Sequence, residues 1–339
     1  MIDLTTLSAP LALPCGDVSL RNRIALAPMA GWTDVPFRRL AWRYGAGHLV
    51  SEMLSSKPEL WDTGKSSQRR VLIQGVRPQA VQIAGSDPKI MAESVKRLVG
   101  QGVELLDINF GCPAKKVCSK AAGSALLADI TLLQRIVEAV VAAVSVPVTV
   151  KTRTGLTPSD RAGLEAALAA QAVGAQMVVM HARSRACRFV GPVDYGRLGE
   201  LRAKLDIPLL VNGDIDGVDA ARRALGSSRA DGVMIGGGAM GQPWIFSTLM
   251  GQAPPELGER LTIMAEHLES MHEFYGHETG TRIARKHIQA YLKRLGMQSL
   301  CRASMQEDTA EGQVRWLRAH RNLIVDQGRR QQALGSAAA

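Results

Sequence analysis

The chain lacks a long apolar run. Its longest stretch free of Asp, Glu, Lys, Arg and His, Gly232 to Pro255, is broken by six glycines and three prolines, so no continuous apolar span of about 20 residues is available to cross a bilayer. No secretory leader is expected either: an acid stands at Asp3, and no basic segment precedes an apolar block in the first 20 residues. A cytoplasmic location without a membrane partner is expected. Cysteine is scarce, five in 339 residues, with no Cys-x-x-Cys spacing, and the seven histidines include no His-Glu-x-x-His pattern. These absences exclude a disulfide framework, a zinc knuckle and a zincin-type centre. No metal is expected, and any cysteine chemistry is that of a free thiol.

What is present is an ordinary globular balance, 46% hydrophobic and 21% charged residues, in a chain long enough for a large core and about two domains. Forty-one basic residues against 31 acidic give a net charge of +10. That excess favours a polyanionic partner such as nucleic acid, although a merely basic enzyme would show it equally.

Eight short β-rich runs punctuate the first three quarters of the chain: Ile24–Pro28, His48–Ser51, Ala80–Ala84, Glu104–Asn109, Pro147–Lys151, Met177–His181, Pro208–Asn212 and Asp231–Ile235. Each is followed by a helical pattern, and the mean repeat is about 30 residues, one βαβ step. Eight such units predict a closed (β/α)8 TIM barrel; a doubly wound open sheet would carry fewer. Asp87-Pro88 predicts a helix start, with Ile90, Met91, Val95, Leu98 and Val99 near one face. Asp129 predicts the next, with Leu132, Leu133, Ile136, Val137 and Val140 recurring, and Thr157-Pro158 predicts the start of an Ala-rich helix. After Pro254-Pro255 the strand-like runs cease, and helices are predicted at about 259–275, 280–295, 303–308 and 310–327. The expected organisation is a barrel over 1–253, a smaller all-helical domain over 254–330 and a flexible tail over 331–339.

Ligands meet a parallel barrel at the C-terminal ends of its strands, where the βα loops are free to carry chemistry. Polar or glycine-rich signals stand at each of these ends: Pro28-Met29-Ala30, Ser51-Glu52, Gln82 with Gly85, Asn109-Phe110-Gly111-Cys112, Lys151-Thr152-Arg153, His181-Ala182-Arg183, Asn212-Gly213-Asp214 and Gly236-Gly237-Gly238. Gly213 and Gly236–Gly238, after the last two strands, suit backbone capture of a phosphate; tight turns would use the same residues. Lys151 ends an apolar strand and needs an anion, either that of a bound cofactor or an internal partner such as Glu52. Cys112 sits between Gly111 and Pro113. As a neutral thiol it is a general acid; as a thiolate activated by Lys115, Lys116 or Lys120 it is a nucleophile.

Taken together these segments resemble the tRNA-dihydrouridine synthases, most of all their bacterial B branch. The resemblance runs from about Leu20 to Leu295 through LAPMAGWTDVPFR (26–38), SEMLSSKP (51–58), VQIAGSDPKIMAE (81–93), DINFGCPAKKV (107–117), AGSALL (122–127), PVTVKTRTG (147–155), HARSRACRFVG (181–191), NGDI (212–215), DGVMIGGGAMGQPWIF (231–246) and FYGHETGTRIARKH (274–287). It implies that NADPH, or NADH, reduces a bound FMN, that the flavin delivers hydride to uracil C6 and that Cys112 donates a proton to C5 of a D-loop uridine in tRNA. It also implies that Pro28, Met29, Ala30, Gln82, Lys151, His181, Asn212, Gly213, Asp214, Gly236 and Gly237 contact FMN, and that Asn109, Arg183 and Arg185 lie where the flipped-out uridine enters. Arg282, Arg285 and Lys286 would belong to a basic helical stripe gripping the tRNA. A monomer is expected.

Two departures stand out. Gly237 replaces the arginine usual in the family, and Cys118-Ser119 replaces Asn-Arg. The competing readings are a flavin barrel reducing a small pyrimidine or enone, and a non-catalytic RNA-binding protein that keeps the barrel.

Overall fold

A computed structural model describes residues 12–119 and 121–337. The chain divides into two compact units. The first reaches Gly238 and takes in Phe246–Gly251; the second comprises Ala239–Ile245 and the chain from Gln252.

The first unit opens with a hairpin of β1 (Leu13–Cys15) and β2 (Val18–Leu20). The parallel strands that follow are β3 (Ile24–Leu26), β4 (His48–Leu49), β5 (Leu54–Ser55), β6 (Ala80–Ala84), β7 (Leu105–Asn109), β8 (Val148–Arg153), β9 (Met177–His181), β10 (Leu209–Asn212) and β11 (Gly232–Ile235). They hydrogen-bond in the order β4-β3-β11-β10-β9-β8-β7-β6-β5. The ring closes where Val50, directly after β4, bridges to Ala80 of β6, with the Ser51 N–H donating to Ala80 O at 3.0 Å. The second barrel strand is therefore split, and β4 and β5 together occupy one of eight positions. Each of the eight β-rich runs in the sequence falls on this ring.

The hairpin explains the first segment of the chain that the eightfold repeat leaves over. Leu13, Cys15 and Leu20 join Ala25, Val50, Ala80, Leu105, Met177, Leu210 and Met234 in one buried cluster, an apolar layer inside the barrel. Burial first, and then the Asp107 charge, pushes the Cys15 thiol up to about 12; it is structural.

Asp87 caps the helix Pro88–Gly100 by accepting from the N–H groups of Lys89 and Ile90 at 2.8 and 3.0 Å. Its buried stripe is Met91, Ser94, Val95 and Leu98, whereas Ile90, expected on that stripe, is exposed. Asp129 caps Ile130–Ala143 through the Leu132 N–H at 2.9 Å. Thr157-Pro158 does not open the Ala-rich helix, which runs Ala162–Ala172. Asp160 holds that stretch as a turn, accepting from the N–H groups of Thr157 at 2.6 Å and Ala162 at 3.0 Å, so the helix starts only beyond it.

The second unit is helical: Leu257–Tyr275, His277–Arg294, the short Cys301–Ser304 and Ala310–Ala337. Its buried face combines Leu261, Met264, Leu268 and Met271 with Ala284, Ile288, Tyr291 and Leu292. Ala239–Ile245 groups with these helices although it precedes residue 254. A Cβ on Gly241 would sit 2.4 Å from Ala290 O, and the Trp244 and Tyr291 ring centroids are 6.4 Å apart. The last helix continues through residue 331, where a flexible tail was expected, to Ala337; residues 338 and 339 lie outside the described residues. Among the described residues no helix is long and apolar enough to cross a membrane.

Candidate active site

Register assembles the site. In a parallel barrel, paired residues on neighbouring strands share a face. Gln82 of β6 pairs with Asp107 of β7, and Asp107 with Thr149 of β8. One level higher Asn109 pairs with Lys151, and beyond it Arg153 pairs with His181, which in turn pairs with Asn212. The alternating residues of apolar strands thus converge as a polar layer at the C-terminal end of the ring.

Lys151 Nζ donates to Asn212 Oδ1 at 3.1 Å, and Asn212 Nδ2 donates to Met234 O at 2.8 Å. Burial, and then the Arg153 charge, brings the Lys151 ammonium down to about 8, against the opposing pull of Asp107. The internal pairing with Glu52 is not made. Glu52 instead accepts from the Gly31 N–H and lies 3.8 Å from Arg69 Nε. His181 is buried; desolvation, followed by the charges of Lys151, Arg153 and Arg183, depresses its pKa to about 2. It is a neutral imidazole beside a lysine.

Cys112 is half-buried at the turn after β7. Asn109 Oδ1 accepts from the N–H groups of Gly111 at 3.1 Å and Cys112 at 2.9 Å, while Cys112 O accepts from Ser124 Oγ at 2.8 Å and from the Cys118 thiol at 3.4 Å. Desolvation raises the Cys112 thiol above its ordinary value, outweighing Arg153 and Lys151. Lys115 and Lys116 do not figure among the causes of the shift, and Lys120 lies outside the described residues. The arrangement therefore favours the neutral acid over the nucleophilic thiolate.

The glycine loops form a cradle. Gly213 has φ +125°, and a Cβ there would meet His181 Cδ2 at 2.9 Å; Tyr195 OH fixes the loop by donating to Gly213 O at 2.6 Å. A Cβ on Gly236 would contact the Met29 sulfur at 3.5 Å, which brings the loops after β11 and β3 together. Pro28, Met29 and Ala30 follow β3, with Met29 N–H donating to Thr33 Oγ1 at 2.8 Å. Gly237 opens a single 3-10 turn, Gly237–Ala239.

Other sequence-derived candidates are differently employed. Arg183 is buried and forms a fork on Asp214, with Nη1 donating to Oδ1 at 2.6 Å and Nη2 to Oδ2, while Nε donates to Gly191 O at 3.0 Å. Asp214 is thereby held by an arginine. Arg185 is half-buried, anchored through its backbone N–H to Gly155 O at 2.8 Å. Arg282, Arg285 and Lys286 are on the second unit's helix His277–Arg294, where Arg282 lies 3.8 Å from Glu278.

Arg153 is a site residue that the sequence reading did not single out. It is buried, and its guanidinium donates to Gly111 O at 2.7 Å, Ser184 O at 3.2 Å and Arg188 O at 2.8 Å, while lying 5.2 Å from the Phe189 ring centroid. It ties the Cys112 turn to the loop after β9. The signal for it was strand parity: Arg153 is two residues beyond Lys151 on the same face. Among the described residues no group of three or more His, Cys, Asp or Glu could hold a metal.

Polar side chains gathered at the C-terminal mouth of a parallel ring with eight strand positions are the arrangement of a TIM-barrel enzyme. A family model described as dihydrouridine synthase matches residues 25–324, and the chain belongs to that family. Its relatives include proteins named tRNA-dihydrouridine synthase B from Pseudomonas putida, 46% identical over 83% of this chain and 86% of that one, and from Vibrio cholerae, 45% identical over 88% and 95%. Among solved structures a morphinone reductase in complex with tetrahydroNAD aligns with a TM-score of 0.54 at 14% identity, covering 72% of this chain and 91% of that one. At that identity the likeness is one of fold.

Proposed function

We propose that the protein reduces D-loop uridines of tRNA to 5,6-dihydrouridine in the cytoplasm, with FMN as cofactor and NADPH or NADH as reductant. The observation that carries this reading is the placing of Cys112, Lys151 and His181 at the C-terminal ends of the adjacent strands β7, β8 and β9, in a chain that matches the dihydrouridine synthase model over residues 25–324.

The residues present suit a flavin mononucleotide. Lys151 supplies a cation with Asn212 Oδ1 as its hydrogen-bond partner, and Gln82 and Asn212 supply amides. Gly213 and Gly236 leave the space that a Cβ would take, and Pro28, Met29, Ala30, His181, Asp214 and Gly237 complete the rim. Without an arginine at Gly237, phosphate binding rests on backbone N–H groups. Bound there, the flavin supplies the hydride that reaches uracil C6.

The protein's own part is to hold charge and one proton in place. Lys151 would offer its charge to an anionic edge of the cofactor. His181, uncharged, adds no positive charge beside it. Cys112 keeps its proton because burial disfavours the thiolate, and it donates that proton to uracil C5 as a general acid. Asn109 and Arg153 hold the turn that presents the thiol. Arg185 lies where the flipped base enters, and the Arg183–Asp214 fork shapes the same rim. Extruding the base costs a few kcal/mol, least where pairing is already loose. Arg282, Arg285 and Lys286 meet the phosphate backbone.

The test is to map dihydrouridine in tRNA from cells that lack the gene and then regain it. At least one D-loop position should lose the modification and recover it on complementation. An unchanged map would overturn the assignment.

A further inference from the structure

Beneath the Cys112 turn runs a buried polar chain whose two ends are chemically fixed. Asp107, 2% exposed, accepts from Thr149 Oγ1 through Oδ1 and from Gln82 Nε2 through Oδ2, each at 2.7 Å. Gln82 Oε1 accepts from Asn109 Nδ2 at 2.7 Å. Asn109 Oδ1 then accepts from the N–H groups of Gly111 and Cys112. Above about pH 6, the value to which burial raises Asp107, its carboxylate only accepts, and a backbone N–H only donates. With an acceptor at one end and donors at the other, each amide between them has a single orientation that matches both neighbours. Turning either one over sets donor against donor or acceptor against acceptor, at Gln82 in a place closed to water, since that residue is 1% exposed.

We propose that Asp107 is a positioning residue: through the side-chain amides of Gln82 and Asn109 it fixes the backbone N–H groups that hold the Cys112 turn. This rests on the proposed role of Cys112 only for its consequence in turnover. The acceptor, rather than the charge, is what the chain needs. An asparagine at 107 can still accept from Gln82 while donating to Thr149 Oγ1, whose own proton reaches Leu106 O at 3.4 Å. A leucine offers nothing to Gln82, whose amide loses the anchor that braces it against Asn109, and the chain is then held from the turn end alone.

Hydrogen exchange of the full-length protein, read by mass spectrometry on a peptide containing Gly111 and Cys112, tests this without turnover. Asp107→Leu is expected to lower protection of those amides about 10-fold while the β8 amides Val148–Val150 keep theirs. Asn109→Ala should give the same loss, and the double variant no further loss. Asp107→Asn should stay close to the parent. Unchanged protection at Gly111 and Cys112 in Asp107→Leu overturns the proposal, as does a loss spread evenly over β6 to β8 or an equal loss in Asp107→Asn. Should the leucine variant fail to fold, Gln82→Met cuts the same chain one link further on, and unchanged protection there also overturns it. A protein that shows this exchange pattern but never reduces tRNA keeps the positioning role and loses the function. One that reduces tRNA without the pattern does the reverse.

Discussion

Burial raises the Cys112 thiol against the pull of the nearby positive charges, which supports the proposed general acid rather than a nucleophile. Replacing it with alanine removes the proton but none of the groups assigned to the cofactor. Cys112→Ala is therefore expected to bind flavin normally while dihydrouridine formation falls about 100-fold or more, the scale of a lost general acid. A turnover assay beside the visible flavin spectrum checks both halves; undiminished turnover would remove the residue from the mechanism. At this scale the sequence was informative about which residues reach the mouth and less so about what each one does there. Lys151, His181 and Cys112 stand out because a charged or reactive side chain closes an apolar run. The engagement of Arg183 by Asp214, 31 positions away, depends on the spacing of β9 and β10, which no local pattern contains. Asp107 and Arg153 sit inside motifs whose residues carry one joint signal, so their separate contacts are not legible in the sequence.

Elements were legible where a local rule governs them. Asp87 and Asp129 cap helices because a side-chain oxygen beside free N–H groups is enough. Thr157-Pro158 carries a comparable signal, but Asp160 accepts from the N–H groups of Thr157 and Ala162 and holds the stretch as a turn, so the helix starts beyond it. The split second strand and the β1–β2 hairpin were not legible, since short bridges leave no periodicity.

In the second unit, His267 of Leu257–Tyr275 and His287 of His277–Arg294 are buried with ring centroids 4.9 Å apart, and His267 Nδ1 lies 3.2 Å from Tyr291 OH. Desolvation lowers His267 to about 3; desolvation, then His267 and Lys286, holds His287 well below the ordinary imidazole value of 6.5. Both are depressed in the folded state, so the unfolded chain binds protons first. Stability is full above about pH 6.5 and falls as pH drops toward 3, at roughly 1.4 kcal/mol per pH unit for each extra proton bound by the unfolded chain. Thermal melting between pH 8 and pH 5 should show this decline, and His287→Leu should make it shallower. An equal slope in the variant would contradict the assignment.

For the whole molecule, the repeat of about 30 residues made the barrel legible, and the loss of strand-like runs marked the helical unit. The part that escaped is Ala239–Ile245, which belongs with helices further along the chain because Gly241 and Trp244 pack on Ala290 and Tyr291. Net charge also reads differently once mapped. Of the +10, only +2 lies on residues 254–339, so the barrel carries most of the basic excess, and Arg153 and Arg183 are both buried near its mouth.

The central claim is that electrons pass from a nicotinamide through a flavin held at this barrel mouth to uridine in tRNA. Its most direct test is anaerobic reoxidation followed by absorbance. The account predicts that the purified protein is yellow, that NADPH or NADH bleaches it, and that unmodified tRNA restores the oxidised spectrum with dihydrouridine formed in equal amount. A protein without flavin, or one that stays reduced with tRNA while a free pyrimidine or enone reoxidises it, would contradict the account.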